Sequence, residues 1–267
     1  MPLLHLLLVA IIQGVTEFLP ISSSGHLILL PTLTGMADQG LVVDVAVHLG
    51  TLGAVVLFFR QDVGRALRGF IALLSGRART PEARLALGLV IATIPVVLAG
   101  LAIKVAGLDA GLRSVTVIAW TTLIFGLLLF WADQRGPEDR TAEDWTLRDA
   151  VIMGLWQTIA LIPGTSRSGI TITGARLLGY ERSDAARLAM LMSIPTILAS
   201  GALLSIDVAQ QADLSIVRDA GIAAIFAFGA ALGALALMMR LLRSVSFTPY
   251  VIYRVILGVG LLLYAYT

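Results

Sequence analysis

QGVTEFLPISSSGH, residues 13–26, places polar side chains inside an otherwise apolar run at 3–31. That run contains no Lys, Arg or Asp, and Glu17 is its only formal charge. Gln13 and Glu17 are four residues apart, so they share a face if this part of the chain is helical. Pro20 is expected to end the helix, because proline removes a backbone donor and clashes with the preceding turn. The stretch therefore predicts a helix, a polar break and a second helix.

The polar groups of this break are unusual for a membrane segment. A carboxylate, three hydroxyls and the imidazole of His26 are costly at membrane depth, where such groups indicate function. The alternative is an amphipathic helix followed by a polar loop in water, which would avoid the cost of burying them.

The composition indicates a membrane protein with several spans. Of 267 residues, 58% are hydrophobic and 13% are charged, whereas soluble domains are about 25% charged. The first basic residue is Arg60, so the basic region of a secretory signal is missing and the first segment is expected to be retained. The absence of cysteine excludes disulfides and thiolate metal sites. A net charge of +2 gives no support for a nucleic-acid partner.

Six apolar stretches are long enough to cross a bilayer, which takes about 17–25 helical residues. They are residues 41–59, 85–106, 115–132, 187–205, 220–239 and 250–266. Two further segments, 1–40 and 148–180, are apolar but interrupted by Pro, Gly, Ser and Thr. We expect each to form a re-entrant helical hairpin. The predicted fold class is therefore an all-α integral membrane protein with six transmembrane helices and two re-entrant hairpins.

The basic residues predict the orientation of the chain. The connector 60–84 contains six arginines, whereas the opposite side holds only Lys104, Arg113 and Arg218. Because cytoplasmic loops are enriched in Lys and Arg, 60–84 is predicted to lie inside and the connector 206–219 outside. Both termini are then outside.

The same count predicts an inverted repeat within a single membrane domain. Each half, about 1–135 and 146–267, is a broken hairpin followed by three spans, and an odd number of spans inverts the second half. LPISSSGH at 19–26 resembles IPGTSRSG at 162–169, and such repeats are known in transporters. Chance similarity between two loops rich in Ser, Gly and Pro is the alternative.

The second break, PGTSRSGIT at 163–171, carries an isolated cation. Arg167 is the only Lys or Arg between Arg148 and Arg176, and a permanently charged guanidinium requires an anion. Helix starts bind phosphate through free N–H groups, so two of them and this arginine would hold a phosphate or diphosphate. The neighbouring hydroxyls belong to Thr165, Ser166, Ser168 and Thr171. Alternatively, Arg167 only neutralises Glu17, since buried charges are usually paired.

The first break supplies candidate reactive groups. Glu17 can act as a general base or a metal ligand, and His26 suits proton transfer near neutral pH. One of Ser22, Ser23 and Ser24 could be a nucleophile activated by such a neighbour. With Gln13, Glu17 could hold Mg²⁺ or Ca²⁺, which prefer oxygen ligands. These residue types leave the assignment of roles open.

A second i, i+4 pair lies on the first span. Asp44 and His48 could support the site from behind, or could form an ordinary hydrogen bond between helices.

These motifs resemble those of the bacterial undecaprenyl-diphosphatase family, also called the bacitracin-resistance family. Its first motif has Glu or Gln, three residues, Glu, then Pro, a Ser-rich turn and Gly-His, as at 13–26. Its second motif, Pro-Gly-x-Ser-Arg-Ser-Gly, is matched at 163–169. The similarity extends to HLGTLGAV at 48–55 and FTPYVIYR at 247–254.

The resemblance implies hydrolysis of undecaprenyl diphosphate to the monophosphate and phosphate, aided by Mg²⁺ or Ca²⁺. This reaction recycles the lipid carrier for cell-wall synthesis at the outer side of the bacterial cytoplasmic membrane. Implied catalytic residues are Glu17, Ser23, His26 and Arg167, and Ser166 and Thr171 line the phosphate site. Gln13 stands where the family often has Glu, so a two-carboxylate metal site is in doubt and the cation would rest mainly on the diphosphate. The partners are the lipid substrate and membrane lipids, and a homodimer stays open.

Two other functions fit parts of the sequence. A transporter or lipid flippase would also use inverted repeats, but it would not need Glu17, His26 and the serines. A membrane phosphatase of the phosphatidic-acid type also contains Ser-Gly-His, but that class requires a Lys-x6-Arg-Pro motif, which this chain lacks.

Overall fold

The computed structural model describes residues 2–211 and 213–267, and these residues are helical with short connections. The α-helices are α1 (Leu3–Thr16), α2 (Ser23–Thr34), α3 (Leu41–Phe58), α4 (Arg60–Leu74), α5 (Pro81–Ala106), α6 (Asp109–Leu112), α7 (Val115–Arg135), α8 (Leu147–Thr158), α9 (Arg167–Leu177), α10 (Arg182–Gln211), α11 (Leu214–Leu241) and α12 (Thr248–Tyr266). Six of them, α3, α5, α7, α10, α11 and α12, are long and apolar enough to cross a membrane. The six predicted spans are confirmed.

Both segments with polar breaks consist of two short helices. The helix α1 ends at Thr16, four residues before Pro20, and α2 begins at Ser23. In the second segment, α8 ends at Thr158, a 3₁₀ turn covers Ile159–Leu161, and α9 begins at Arg167. Proline and the capping serines thus divide each segment, as the sequence indicates.

Two connectors differ from the sequence interpretation. The connector 60–84 contains α4, whose face toward α5 includes Gly69; a Cβ there would lie 1.9 Å from the Glu82 carbonyl oxygen. The connector 206–219 is shorter than expected, because α10 continues to Gln211 and α11 begins at Leu214. A span predicted from hydropathy ends where charged residues begin. The helix itself continues for as long as its backbone hydrogen bonds do, so the two boundaries differ.

Each pair of short helices packs against a long helix from the other half of the chain. The helix α1 packs on α11 and α3, and α8 packs on α5. Glycines permit these approaches, since a Cβ on Gly14 would lie 2.7 Å from the Ala227 carbonyl oxygen and one on Gly154 2.6 Å from that of Ala92. Because each half of the chain packs one of its short helices on the other half, the two breaks lie close together.

A polar network fixes the end of the molecule that carries the 133–149 connection. Asp133 is buried and pairs with Arg176 and Arg182. Asp149 accepts hydrogen bonds from Arg140 at 2.6 Å and Tyr180 at 2.8 Å. Burial raises the pKa of Asp149, but hydrogen bonds from Arg140, Thr146 and Tyr180 outweigh it and hold this pKa at about 2.

Candidate active site at two helix starts

The two breaks start their second helices in the same unusual way. Ser22 and Ser166 have φ values of 73° and 72°, and both cap the following helix. The Oγ of Ser22 accepts from the Gly25 N–H at 3.3 Å, and that of Ser166 accepts from the Gly169 N–H at 3.1 Å. Positive φ is strained for a non-glycine residue, and such strain is concentrated at functional sites.

This geometry corrects the register of the internal similarity. Aligning 19–26 with 162–169 pairs Ser22 with Thr165, whereas the two caps equate Ser22 with Ser166. In the corrected register, Ser23 corresponds to Arg167, and Gln13 corresponds to Gln157. The first position of each helix therefore carries the candidate nucleophile in one half and the cation in the other.

Direct contacts join the two breaks. Arg167 Nη2 donates to Glu17 Oε1 at 2.5 Å, and Ser168 Oγ donates to the Leu19 carbonyl at 2.9 Å. Arg167 Nη1 also donates to the Ser193 carbonyl on α10 at 3.3 Å. The structure thus brings together the carboxylate and the arginine that the sequence singled out.

Glu17 is the centre of this cluster. Its Oε2 accepts from Gln13 Nε2 at 2.8 Å and from Ser23 Oγ at 2.6 Å. The ring Nε2 of His48 lies 3.7 Å from the same oxygen. A carboxylate bonded to a serine hydroxyl can take up its proton, which is how a serine is activated for attack.

The cluster forms the polar end of a cavity of about 610 Å³. The predicted residues that line it are Glu17, Ser22, Ser23, Ser24, Ser166 and Arg167. The remaining wall is largely apolar and comes from α3, α5 and α10, with Leu49, Leu101 and Leu203 as examples. Each of these three leucines is about half exposed, so the apolar end reaches the molecular surface.

Other predicted residues support the loops without lining the cavity. Gln13 is fully buried and bonds to Glu17. Thr171 Oγ1 bonds to the Arg167 carbonyl of its own helix at 2.8 Å, and Ser168 Oγ contacts Ser166 Oγ at 3.1 Å. Thr165 is buried, and its hydroxyl has no partner in the described part of the chain.

The structure places His26 away from Glu17. Its Nδ1 lies 2.7 Å from the Ser22 carbonyl oxygen, and its Nε2 lies 2.6 Å from the Tyr253 hydroxyl, with the two rings stacked. A carbonyl can only accept, so Nδ1 carries the hydrogen and Nε2 accepts from Tyr253. His26 thereby holds the carbonyl of the strained Ser22.

His48 is the imidazole that faces Glu17 and the cavity. Its Nδ1 contacts the main-chain carbonyl of Asp44 at 2.7 Å, while the Asp44 carboxylate accepts from Gln39. The i, i+4 spacing indicated this pair, but not that it joins His48 to the backbone. The approach to Glu17 needs the packing of α3 on α1, which the sequence does not show.

The arrangement at Glu17 and Gln13 does not fit a resident divalent cation. Both carboxylate oxygens already receive donors, including a guanidinium, and Gln13 presents its NH₂ group to the carboxylate. The Gln13 Oε1 atom is buried without a hydrogen-bond partner in the described part of the chain, so the pair offers one free oxygen. Mg²⁺ and Ca²⁺ require several free oxygen ligands. Among the side chains that the structure describes, no group of three from His, Cys, Asp or Glu is placed to bind a metal.

Comparisons with known proteins agree with the motifs. The family model for bacitracin resistance protein BacA matches residues 6–260. A protein of Dinoroseobacter shibae named undecaprenyl-diphosphatase is 70% identical over the full length of both chains. Proteins with the same name from Ruegeria pomeroyi and Chromohalobacter salexigens are 67% and 47% identical, over 100% and 98% of each chain.

Proposed function

Since the chain belongs to the bacitracin resistance protein BacA family, we propose that the two joined helix starts are its active site. The enzyme dephosphorylates undecaprenyl diphosphate, as its full-length similarity to undecaprenyl-diphosphatases establishes. Of the functions considered from the sequence, this activity favours the phosphatase hypothesis over the transporter hypothesis. It also supports a role in recycling the lipid carrier for cell-wall synthesis.

One observation carries the assignment of the site. Ser23 and Arg167 meet at the same carboxylate, that of Glu17, although they begin helices from different parts of the chain. A nucleophile, its base and a cation thus lie together at the polar end of an apolar cavity. A phosphate bound there would contact Arg167 and the free N–H groups of both helix starts.

We assign Ser23 Oγ as the nucleophile and Glu17 as the base. The Ser23 oxygen attacks the terminal phosphorus while its proton passes to Glu17 Oε2. A new P–O bond forms, and the bond from phosphorus to the bridging oxygen breaks, so undecaprenyl phosphate leaves. Water then attacks the phosphorus of the phosphoserine, and the bond from phosphorus to Ser23 Oγ breaks. Glu17 returns its proton to Ser23 Oγ, and the protons of the water leave with inorganic phosphate. Arg167 and the helix starts stabilise charge on the transferred group, the main contribution of a protein to this chemistry.

The lipid tail occupies the apolar part of the cavity in this proposal. The lining side chains of α3, α5 and α10 give the isoprenoid units an apolar wall. Because this wall reaches the molecular surface through Leu101 and Leu203, a long chain can continue into the bilayer.

The other candidate residues shape the site or serve proton transfer. Ser22, Ser24 and Ser166 offer hydroxyls to the diphosphate from the cavity wall, whereas Gln13 orients Glu17. Thr165, Ser168 and Thr171 hold the second break. We propose that His26 relays a proton through the Tyr253 hydroxyl that is bonded to its Nε2, so that His26→Gln lowers kcat.

A divalent cation enters as part of the substrate. Both Glu17 oxygens already accept hydrogen bonds, and Gln13 Oε1 is the one oxygen of this pair without a partner in the described part of the chain. Mg²⁺ or Ca²⁺ would therefore be held mainly by the diphosphate oxygens and would reduce their charge. Without the lipid substrate, the protein should therefore bind Mg²⁺ or Ca²⁺ only weakly. Isothermal titration calorimetry of the lipid-free protein tests this.

The membrane arrangement follows from the same proposal. The helix pairs α1–α2 and α8–α9 would be re-entrant hairpins, in inverted repeats over about 1–135 and 146–267. The matched caps at Ser22 and Ser166 and the exchanged packing of α1 and α8 support this arrangement. The arginine-rich end would face the cytoplasm, with the termini and the site opening outside. Labelling of single cysteines tests the sidedness, and light scattering in detergent tests the homodimer.

Phosphate release by the purified protein in detergent tests the site. We expect the parent chain to hydrolyse farnesyl diphosphate, and Arg167→Ala to lose at least about 100-fold in kcat/KM. The matched control is Arg113→Ala, which removes an exposed arginine and should leave the rate unchanged. Full activity of folded Arg167→Ala would overturn the assignment.

A further inference from the structure

Arg254 lies in the second turn of α12, at the seventh of its 19 residues, and is fully buried. It is the only charged residue in 244–267, and charges inside membrane segments indicate function. Its acceptors in the described part of the chain are main-chain carbonyls. The phosphatase mechanism described above does not use this residue.

The carbonyls that Arg254 binds belong to both breaks. Nη1 donates to the Pro20 carbonyl at 3.2 Å, and Nη2 donates to those of Gly164 and Thr165 at 3.1 and 2.9 Å. Nε donates to the Thr122 carbonyl on α7 at 3.0 Å. One guanidinium therefore ties both loops to each other and to a long helix.

The surrounding structure makes room for this guanidinium. A Cβ on Gly169, the last glycine of the second motif, would lie 2.9 Å from Arg254 Nη1, and one on Gly126 would lie 3.2 Å from its Nε. Two glycines on different helices thus permit the side chain to reach the loops. A smaller or differently branched side chain would leave these carbonyls unbonded, which is costly in a buried site.

The bonds to Arg254 also orient peptide groups. In a trans peptide the C=O and the following N–H point in opposite directions. Holding the Thr165 carbonyl therefore directs the N–H of Ser166, the cap of α9, away from Arg254. The positive charge also offsets carbonyl dipoles that would otherwise oppose an anion at the helix starts.

We propose that Arg254 is a positioning residue, which sets the separation and orientation of the two helix starts for the transferred phosphate. This inference rests on the proposed location of the active site. Because Arg254 acts on alignment in the transition state and the lipid tail supplies much of the binding, its loss should lower kcat more than it raises KM.

The test compares two fully buried arginines. Arg176 also binds carbonyls, those of Tyr180 and Asp133, but at the other end of α9. Arg254→Lys keeps the charge, but a single ammonium cannot bond to both loops in the same geometry. We expect Arg254→Lys to lower kcat for farnesyl diphosphate by about 100-fold, as small misplacements do, with KM within a few-fold. Inhibition by inorganic phosphate should weaken. Arg176→Lys should lower the melting temperature and leave kcat unchanged.

Gly169→Ala is the second variant, because it retains the arginine while its Cβ would lie 2.9 Å from Arg254 Nη1. The same Cβ would lie 3.2 Å from Ser166 Cβ and Oγ, so the variant presses on the guanidinium and on the cap of α9 together. We expect a loss of kcat in the same direction. The proposal is overturned if folded Arg254→Lys or Gly169→Ala keeps the parent kcat, if Arg176→Lys loses kcat equally, or if neither test variant folds. Arg167→Ala in the same assay separates this failure from failure of the site: loss there with no loss in Arg254→Lys rejects only the role of Arg254.

Discussion

Arg167 Nη2 lies 2.5 Å from Glu17 Oε1, although the two residues are 150 positions apart in the chain. The side chains are 17% and 5% exposed, so this ion pair is largely removed from water. It joins the two polar breaks that the sequence marks as exceptional. The alternative is that Arg167 only neutralises Glu17 and has no role in catalysis. Because the ion pair is buried, variants of its two residues can test this alternative.

Stability measurements separate the structural role of this pair from its catalytic role. Removing one partner leaves a buried unpaired charge, which typically destabilises by about 3–5 kcal/mol. We expect Glu17→Gln and Arg167→Gln each to lower the melting temperature in detergent. The double variant should recover much of that loss, because it buries no charge, and yet stay inactive. Recovery of activity along with stability would show that the pair is only structural.

The two serines that line the cavity beside each other should differ sharply. Ser23 Oγ is bonded to Glu17, whereas the one partner of Ser24 Oγ among the described residues is Ser22 Oγ at 3.5 Å. Ser23→Ala should lower kcat by about 10³-fold or more, as expected for loss of a nucleophile. Ser24→Ala should lose less than about tenfold, the range of one hydrogen bond. A radiolabelled phosphoserine should be trapped in the parent and absent from Ser23→Ala; equal rates in both variants would reject Ser23.

His48 should matter through the contact of its Nε2 with Glu17. His48→Ala removes an imidazole whose Nε2 lies 3.7 Å from Glu17 Oε2, which is too long for a hydrogen bond. Because this ring also lines the cavity beside the base, we expect its loss to misplace Glu17 and to lower kcat by about tenfold. His48→Gln can place an amide N–H near the same oxygen, so it should retain more activity than the alanine variant. Steady-state hydrolysis of farnesyl diphosphate measures this order, and identical rates for parent and His48→Ala would contradict it.

The sequence was sufficient for the all-helical class, the six candidate spans and the positions of the two breaks. Six apolar stretches, Pro20 and the isolated Arg167 are local signals, and they identified the spans, the interrupted helices and the cation. The register of the two caps could not be read in this way, because it depends on the positive φ of Ser22 and Ser166. The partners of His26 and His48 depend on helix packing.

The sequence contained a signal for Arg254, a single charge within an apolar span, but the mean hydropathy of the span conceals it. One arginine in a span of 19 residues hardly changes its mean hydropathy, yet a charge at that depth is costly. Its acceptors could not be predicted, because they are main-chain carbonyls from three distant segments.

The hydrogen-bond network at Asp149, which lies at the end of the molecule with the 133–149 connection, should make the stability of the fold depend on pH. The pKa of Asp149 is held at about 2, below its ordinary value of 3.8. A lowered pKa stabilises the fold above the unfolded value, and this contribution is lost as pH falls from about 4 to about 2. Asp149→Asn should lower the melting temperature at pH 7. Between about pH 4 and about pH 2, the melting temperature of the variant should depend less on pH than that of the parent. Scanning fluorimetry in detergent measures both slopes, and parallel curves would refute the prediction.

The most direct test of a single site built from both breaks is a kinetic double-mutant cycle. We would measure kcat/KM for farnesyl diphosphate with the parent, Ser23→Ala, Arg167→Ala and the double variant. Groups that act on one phosphate are strongly non-additive, so the double variant should be little slower than the slower single variant. Losses that multiply would show that the two breaks act independently, and would contradict the account.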